Sequence, residues 1–314
     1  IIGSLAATVV TVAAVWFWGM NGVVAAVVAI PVATLAASTW FSRRVLTVKA
    51  GFDIRDASAH LCGMLGLGGA FMATALLTVA CQFAVRLIIT KSLGMDSTGQ
   101  FQAAWSISML YIGFVLGAMG TDYYPRLSAL AGDVGAVNKA VNEQFSASLL
   151  LAGPVILLML ALSAQVITLL YSGAFNEASQ VLRWQALGDV FKVASWPIGF
   201  IFPAMGRGKI FFFTELAWNV IYISLVWVGI NALGVEVTGI SFLVSYVVIF
   251  PLYWYLAHKS DGFVLSRANL NLLGAFVICG VIIFVLGYLK GYLPLAAGVA
   301  IALAAGMYSL RRIS

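Results

Sequence analysis

The stretch LGDVFKVASWP, residues 187–197, places two charged side chains, Asp189 and Lys192, inside a largely apolar run that extends from residue 181 to residue 204. A charged residue at the centre of a membrane helix costs about 2.5–3.5 kcal/mol, so such residues usually face a partner or a water-filled cavity. The surrounding sequence is that of a membrane protein, since 62% of its 314 residues are hydrophobic, 9% are charged and the mean hydropathy is +1.04. Soluble domains carry about 25% charged residues. The composition therefore predicts an integral membrane protein and draws attention to its few internal charges.

Ten apolar runs are long enough to cross a bilayer core, which takes about 20 residues of helix. They alternate with short gaps rich in Gly, Asn, Asp and Pro. Helices are predicted because the runs are continuously apolar, whereas the strands of a membrane barrel alternate between apolar and polar residues. The predicted fold class is all-α, a polytopic transmembrane helix bundle of about ten spans. These spans are 1–19, 22–41, 62–90, 98–120, 145–170, 181–204, 210–230, 237–257, 270–289 and 293–310.

The basic residues predict an orientation for these spans. Lys91 and Lys290 are the two that occupy gaps after odd-numbered spans. The gaps after even-numbered spans and the C-terminal tail hold twelve: Arg43, Arg44, Lys49, Arg55, Arg126, Lys139, Arg207, Lys209, Lys259, Arg267, Arg311 and Arg312. Positive charge marks cytoplasmic loops, so the C-terminus is predicted to be cytoplasmic. The same alternation places the start of the chain in the cytoplasm. Because the chain begins with Ile1 and no leader pattern precedes its first span, an upstream segment with an even number of spans is expected.

Three basic residues, Arg86, Arg183 and Lys192, fall outside the gaps. Arg183 lies near the end of a span and is expected to extend its charge to the interface. Asp189 and Lys192 are three residues apart on one helical face, close enough to form an ion pair. Two interpretations remain open, a self-neutralising buried pair that helps helices pack and a pair of charges that line a polar cavity. The neighbouring Pro197 favours the cavity, because interrupted helices at membrane depth border protein or water.

The third span carries a polar side chain at every fourth position, which predicts one slowly winding stripe along a helix. These positions are Thr74, Thr78, Gln82, Arg86 and Thr90. Glu215 and Asn219 form a second polar pair at helical spacing in the seventh span. We therefore predict that the following residues line a substrate-binding cavity: Arg86, Lys192, Gln82, Thr78, Asp189, Glu215 and Asn219.

The chemistry of these candidates suggests an anionic ligand. Arg86 and Lys192 suit phosphate, because a guanidinium offers a planar fork of donors and an ammonium offers a compact charge. Asp189 and Glu215 could bind H⁺ or Na⁺ as a coupling ion or could balance a cation, and the sequence leaves this open. The chain has no DxD motif, no paired acids with a histidine and no CxxC spacing. We therefore predict no enzymatic activity, no catalytic residue, no metal site and no bound cofactor.

Small residues at helical spacing in the fourth span predict a close helix contact. Gly113, Gly117 and Gly120 are expected to form this packing face.

From about residue 60 to 260 the chain resembles the bacterial O-antigen translocases. These belong to the polysaccharide-transporter branch of the multidrug/oligosaccharidyl-lipid/polysaccharide exporter superfamily. The resemblance is carried by TDYYPRLSAL (121–130), NEQ (142–144), LLYSGAF (169–175), LGDVFKVASWPIGF (187–200) and FFFTELAWN (211–219). Each piece is degenerate alone, and their order and spacing make the match fairly specific.

This resemblance implies two six-helix lobes around a central cavity. Residues 1–42 would then be the last two helices of an N-lobe and 43–60 a cytoplasmic connecting segment. Residues 61–258 would form most of a six-helix C-lobe, and 259–314 would be two additional helices. Without most of the N-lobe, half of the cavity wall is missing, so the chain alone is not expected to transport.

The implied activity is the flipping of an undecaprenyl-diphosphate-linked oligosaccharide, such as an O-antigen-like repeat unit of lipopolysaccharide, across the bacterial cytoplasmic (inner) membrane by alternating access. The implied partners are the lipid-linked oligosaccharide, membrane lipids, a polysaccharide polymerase and chain-length proteins, and no nucleic acid is expected. Three alternatives stay open: a multidrug/cation antiporter of the same superfamily, a lipid II flippase and a membrane glycosyltransferase. The last is disfavoured by the absence of an acid or metal cluster.

Overall fold

The computed structural model describes residues 2–19, 22, 31–32, 35–36, 38–40, 54–289 and 291–313. It divides into two compact units, Ile1–Leu61 and Cys62–Ser314. In the first unit, helix α1 spans Ile2–Trp18, and the described residues from 31 to 40 are also helical. Residues 43–53 of the predicted connecting segment lie outside the described residues. The described part of the chain consists of helices and short turns without a strand, which confirms the all-α prediction.

The remaining helices follow one another with short connections. In chain order they are α2 (Ile54–Leu93), α3 (Met95–Ala118), α4 (Tyr124–Ala129), α5 (Val134–Ala161), α6 (Ser163–Leu170), α7 (Asn176–Gly199), α8 (Ile201–Ala204), α9 (Gly208–Leu233), α10 (Val237–Asp261), α11 (Arg267–Leu286) and α12 (Tyr292–Ile313). A short π-helix, Met119–Tyr123, joins α3 to α4. Two single turns of 3₁₀-helix, Gly173–Phe175 and Gly234–Glu236, precede α7 and α10.

Six stretches of the described residues are long and apolar enough to cross a membrane. They are Gly68–Leu93, Met95–Ala129, Val134–Ala161, Gly208–Asp261, Arg267–Leu286 and Tyr292–Ile313. The fourth stretch contains both α9 and α10. The protein is therefore a multi-pass membrane protein, and the prediction of ten spans is confirmed in part, for the third to fifth and the seventh to tenth spans.

Helix α7, which contains the opening stretch, lies at the centre of the second unit. Of its 24 residues, 18 are buried. It packs against α10, α5, α3 and α11. Because protein rather than lipid surrounds most of this helix, charged and polar residues can find partners there that a lipid-facing helix would lack. This explains why α7 is less apolar than the six stretches above.

The predicted fifth span, 145–170, is confirmed as a membrane-spanning helix, and its predicted bounds are wrong. Helix α5 begins eleven residues earlier, at Val134, and ends at Ala161, and a separate short helix follows from Ser163. The early start reflects the polar residues of its first turns. Asp133 caps the helix by accepting a hydrogen bond from the amide of Ala136 at 2.9 Å.

Two asparagines of α5 bind the loop between α10 and α11. The side-chain oxygen of Asn138 accepts from the amide of Val264 at 2.7 Å, and that of Asn142 accepts from the amide of Ser266 at 2.8 Å. The Asn142 amide group donates to the carbonyl of Val264 at 3.0 Å. Asn269, buried at the start of α11, donates to the carbonyl of Asn142 at 2.8 Å. These bonds satisfy the backbone of the loop and fix the start of α11 on α5.

The opposite end of α11 is held by Arg183 of α7. This guanidinium donates to the carbonyls of Phe284 and Gly287 and lies over the rings of Phe284 and Tyr288, at 4.8 and 4.6 Å from their centroids. The side chain is 4% exposed. The free carbonyls at the end of α11 and two aromatic faces thus offer Arg183 partners inside the protein.

Removing this arginine should destabilise the protein measurably. We expect Arg183→Leu in the full-length protein to cost about 2 kcal/mol or more, because hydrogen bonds from a charged donor to buried carbonyls are worth about 1.5–3 kcal/mol each. The change in stability is measured as the thermal unfolding midpoint in detergent, with size-exclusion chromatography used to monitor the loss of folded protein. Arg126→Leu is the matched control, since Arg126 is exposed and forms a surface ion pair with Asp122 at 2.9 Å. Equal unfolding midpoints for the two variants would refute the role of Arg183.

The most extensive helix contact among the described residues, between α7 and α10, is formed around glycines. A Cβ atom on Gly239 would lie 2.6 Å from the carbonyl oxygen of Val181, and one on Gly188 would lie 2.6 Å from the ring of Phe242. In contrast, no atom of the described residues lies within 4 Å of a Cβ built on Gly113, Gly117 or Gly120. The packing face predicted at those three glycines therefore has no partner in the described part of the chain.

Candidate functional site

Helices α2, α3, α7, α9 and α10 line an open cavity of about 570 Å³. This volume lies within the range of small-molecule sites, about 300–1,000 Å³. Its polar lining consists of Thr74, Thr78, Gln82, Lys192 and Glu215. Its aromatic lining consists of Phe71, Trp105, Trp196, Phe200, Phe211, Trp218, Phe242, Tyr246 and Tyr253. An apolar and aromatic wall with a few convergent polar groups is the usual composition of a ligand site.

Lys192 supplies the positive charge of this cavity. Its side chain is 6% exposed, and its Nζ lies 3.4 Å from the sulfur of Met109 and 5.5 and 5.9 Å from the ring centroids of Phe242 and Tyr246. None of the ion pairs among the described residues involves this ammonium. A group with three N–H donors thus contacts a thioether and two ring faces, which are weak partners for a buried charge.

Asp189 does not line the cavity and does not form the direct ion pair with Lys192 that their spacing suggested. Its Oδ2 accepts hydrogen bonds from the hydroxyls of Ser108, at 2.8 Å, and Tyr111, at 2.5 Å. Its Oδ1 has no hydrogen-bond partner in the described structure, and the residue is fully buried. Residues three apart on a helix are offset by about 60°. Asp189 is thereby turned toward α3, while Lys192 reaches the cavity.

Glu215 supplies the carboxylate of the cavity wall. Its Oε1 accepts a hydrogen bond from the hydroxyl of Tyr253 at 2.7 Å. Glu215 and Asp189 both attract Lys192 electrostatically. Asn219, one turn further along α9, is buried and donates to the carbonyl of Glu215 at 2.8 Å, and it is not part of the cavity wall. The ammonium therefore has two carboxylates nearby, neither in direct contact.

The polar stripe of α2 divides between two environments. Thr74, Thr78 and Gln82 line the cavity. Arg86 is half-buried and donates from Nε to the side chain of Gln102 on α3 at 2.9 Å. The last residue of the stripe, Thr90, forms a 2.8 Å hydroxyl contact with Thr98, also on the α3 side. The first three residues of the stripe thus line the cavity, and the last two contact α3.

The structure brings four of the seven predicted site residues together in the lining of one cavity: Thr78, Gln82, Lys192 and Glu215. Arg86, Asp189 and Asn219 lie behind or beside it. Sequence reasoning missed the aromatic wall. A signal for it was available in Phe242 and Tyr246, which are four residues apart on α10, since residues at this spacing share a helical face.

Comparison with known proteins gives a family and a fold. A model of the family described as "Polysaccharide biosynthesis protein" matches residues 1–180. The lipid III flippase of Escherichia coli (strain K12) is 23% identical over 169 residues, which are 54% of this chain and 40% of the flippase. The chain thus spans well under half the length of this curated relative.

Two solved structures share the fold. Lipid II flippase MurJ in an inward closed conformation matches with a TM-score of 0.64 and 14% identity, over 98% of this chain and 65% of that chain. A MATE structure in complex with MaL6 matches with a TM-score of 0.69 and 19% identity, over 83% of this chain and 61% of that chain. These two matches confirm the predicted fold, and the family model confirms the resemblance to polysaccharide transporters. Because the family model covers more than half of the chain, the protein belongs to the polysaccharide biosynthesis protein family.

Proposed function

We propose that the full-length protein flips a diphosphate-linked oligosaccharide lipid across the bacterial inner membrane, without enzymatic activity. Lys192 binds the diphosphate in the cavity, and the C-terminus lies in the cytoplasm. An O-antigen-like repeat unit on undecaprenyl diphosphate is the proposed substrate. The name of the Escherichia coli relative and the fold shared with lipid II flippase MurJ support a lipid-linked substrate.

One observation carries the proposal: a buried lysine on a cavity wall has no carboxylate of the described residues in direct contact. A buried charge is expensive unless it is paired and hydrogen-bonded. The Nζ of Lys192 contacts a thioether and two aromatic rings, so its donors remain available to a ligand. Phosphate oxygens are strong acceptors for an ammonium. A diphosphate would therefore supply the partner that Lys192 lacks.

The cavity suits the physical problem of moving such a lipid. A diphosphate and a glycan cannot cross the hydrocarbon core unprotected, because polar groups there lose their hydrogen bonds to water. A cavity with Thr78, Gln82 and Lys192 on its wall replaces those bonds, while the polyprenyl chain stays in the lipid. Exposure of the cavity to one leaflet and then the other completes the transfer.

A multidrug/cation antiporter is the second candidate function. The aromatic wall and Glu215 favour it, since a cation is attracted to ring faces and to a carboxylate. Lys192 opposes it, because a like charge in a low-dielectric cavity repels a cationic ligand.

Reconstitution of the full-length protein in liposomes separates these two functions. We expect translocation of undecaprenyl-diphosphate-linked oligosaccharide, measured as protection from an externally added glycosidase, and no efflux of cationic dyes driven by a proton or Na⁺ gradient. Empty liposomes are the control. Dye efflux without lipid translocation would refute the flippase and favour the multidrug/cation antiporter.

A further inference from the structure

A second cavity, of about 560 Å³, lies between α3 and α5, and Asp189 lies behind its wall. Its polar lining consists of Tyr111, Asp122, Tyr123, Gln144 and Ser148. Asp122 is 73% exposed and lies in the short π-helix that follows α3. Tyr111 precedes it by eleven residues, or roughly 16 Å of helix, which is about half of the hydrocarbon thickness. The cavity therefore extends from an exposed carboxylate beyond α3 to Tyr111, about three helical turns earlier in the chain.

Tyr111 joins this second cavity to Asp189. The tyrosine lines the cavity, and its hydroxyl donates to Oδ2 of Asp189 at 2.5 Å. Lys192, one turn from Asp189 on α7, lines the first cavity. Asp189 is thus a buried carboxylate between the two cavities. It contacts the hydroxyl of Tyr111, which lines the second cavity, and it is attracted electrostatically by Lys192, which lines the first.

We propose that Asp189 is a proton-binding site, filled from the cavity between α3 and α5 through the hydroxyl of Tyr111, and that its protonation accompanies binding of the diphosphate to Lys192. This rests on the proposed function, in which Lys192 binds a diphosphate. A cavity of this size with several polar groups can hold ordered water. Tyr111 gives its proton to the carboxylate and takes one from a hydronium ion in the cavity, so that a carboxylic acid and a water molecule result.

The charges around Asp189 determine the direction of this coupling. The charged or titratable groups that act on it, one each from α7, α3 and α10, are Lys192, Tyr111 and Tyr246. Glu215 of α9 acts on the same lysine. With its cavity empty, Lys192 is the cation that favours ionised Asp189. A diphosphate on Lys192 brings like charge toward the carboxylate and favours its protonated form. Binding therefore takes up a proton, and by reciprocity a lower pH strengthens binding.

Calorimetry of the full-length protein with undecaprenyl diphosphate tests this coupling. At one pH, in two buffers with different ionisation enthalpies, we expect the binding enthalpy of the wild-type protein to depend on the buffer, because binding takes up a proton. Asp189→Asn should still bind and should lose this dependence, while Glu143→Gln, at an exposed surface carboxylate outside both cavities, should retain it. Dependence that survives in Asp189→Asn, or that is lost in Glu143→Gln as well, overturns the proposal. So does buffer-independent binding by the wild-type protein.

A kinetic measurement tests the route even where Asp189→Asn fails to fold. With a pH indicator in a stopped-flow instrument, we expect Tyr111→Phe to slow proton uptake by about tenfold or more, as loss of a positioned proton donor does. Tyr123→Phe is the matched control, since Tyr123 lines the same cavity and its hydroxyl donates instead to the carbonyl of Pro197 at 2.9 Å. Equal rates in the two variants overturn the route. Absence of undecaprenyl diphosphate binding in the wild-type protein would instead refute the proposed function.

Discussion

Replacement of Lys192 by methionine should abolish transport of the lipid-linked oligosaccharide by the full-length protein. Methionine keeps an unbranched side chain, one atom shorter than that of lysine, and it removes the charge. Loss of one partner of a buried charged contact costs about 2–5 kcal/mol, so Kd for undecaprenyl diphosphate should rise by roughly a hundredfold. Calorimetry measures the affinity, and the liposome assay measures transport.

The control for this variant is Lys139→Met. Lys139 is 78% exposed on α5 and forms a surface contact with Glu143 at 4.0 Å, so its loss should leave both affinity and transport unchanged. Lys192→Arg keeps the charge in a larger group and should retain part of the affinity. Unchanged affinity in Lys192→Met, with the protein folded and in the membrane, would exclude Lys192 from the binding site.

Replacement of Gly239 by leucine should prevent formation of the folded helix bundle. A Cβ at this position would lie 2.6 Å from the carbonyl oxygen of Val181 and 2.7 Å from Cβ of Trp184, so α7 and α10 would have to move apart. Overpacking typically costs about 1–3 kcal/mol, which is the effect expected of Gly239→Ala, and the leucine side chain adds three further carbons. Size-exclusion chromatography in detergent should show loss of the monodisperse peak for leucine and a lowered unfolding midpoint for alanine.

Gly113→Leu provides the comparison. Gly113 lies on the exposed face of α3, and no described atom lies within 4 Å of a Cβ there. This variant should leave the chromatographic peak and the unfolding midpoint close to those of the wild-type protein. A Gly113 variant as damaging as the Gly239 variant would mean that the small-residue face suggested by sequence is a true contact.

The central site could be predicted in part because polar residues are conspicuous in apolar runs. Lys192 and Glu215 were identified by charge alone, and Thr78 and Gln82 by their regular spacing. Arg86 shares that spacing but lies against α3. Residues four apart advance by about 40° on a helix, so a stripe that faces the cavity at Thr78 has turned by roughly 80° at Arg86. Sequence spacing predicted the stripe, and the packing of α3 beside α2 determined which part of it lines the cavity.

The aromatic wall could not be predicted in the same way, because aromatic side chains suit lipid as well as a protein interior. Trp218 and Trp227 lie on the same helix, α9. Trp218 is 8% exposed and lines the cavity, whereas Trp227 is 68% exposed. The close contact of α7 and α10 was missed for a related reason. Gly188 and Gly239 lie on different helices, so no spacing within either helix indicates that they meet.

The described residues of α11 and α12 pack on α5 and α7, and none of them lines the cavity of Lys192. This arrangement assigns contact with the bilayer and ligand recognition to different helices. The outer helix pair can diverge with the thickness and composition of the host bilayer, while ligand recognition is inherited through the inner helices. Homologues that differ in this pair and retain the lysine should therefore accept the same class of headgroup.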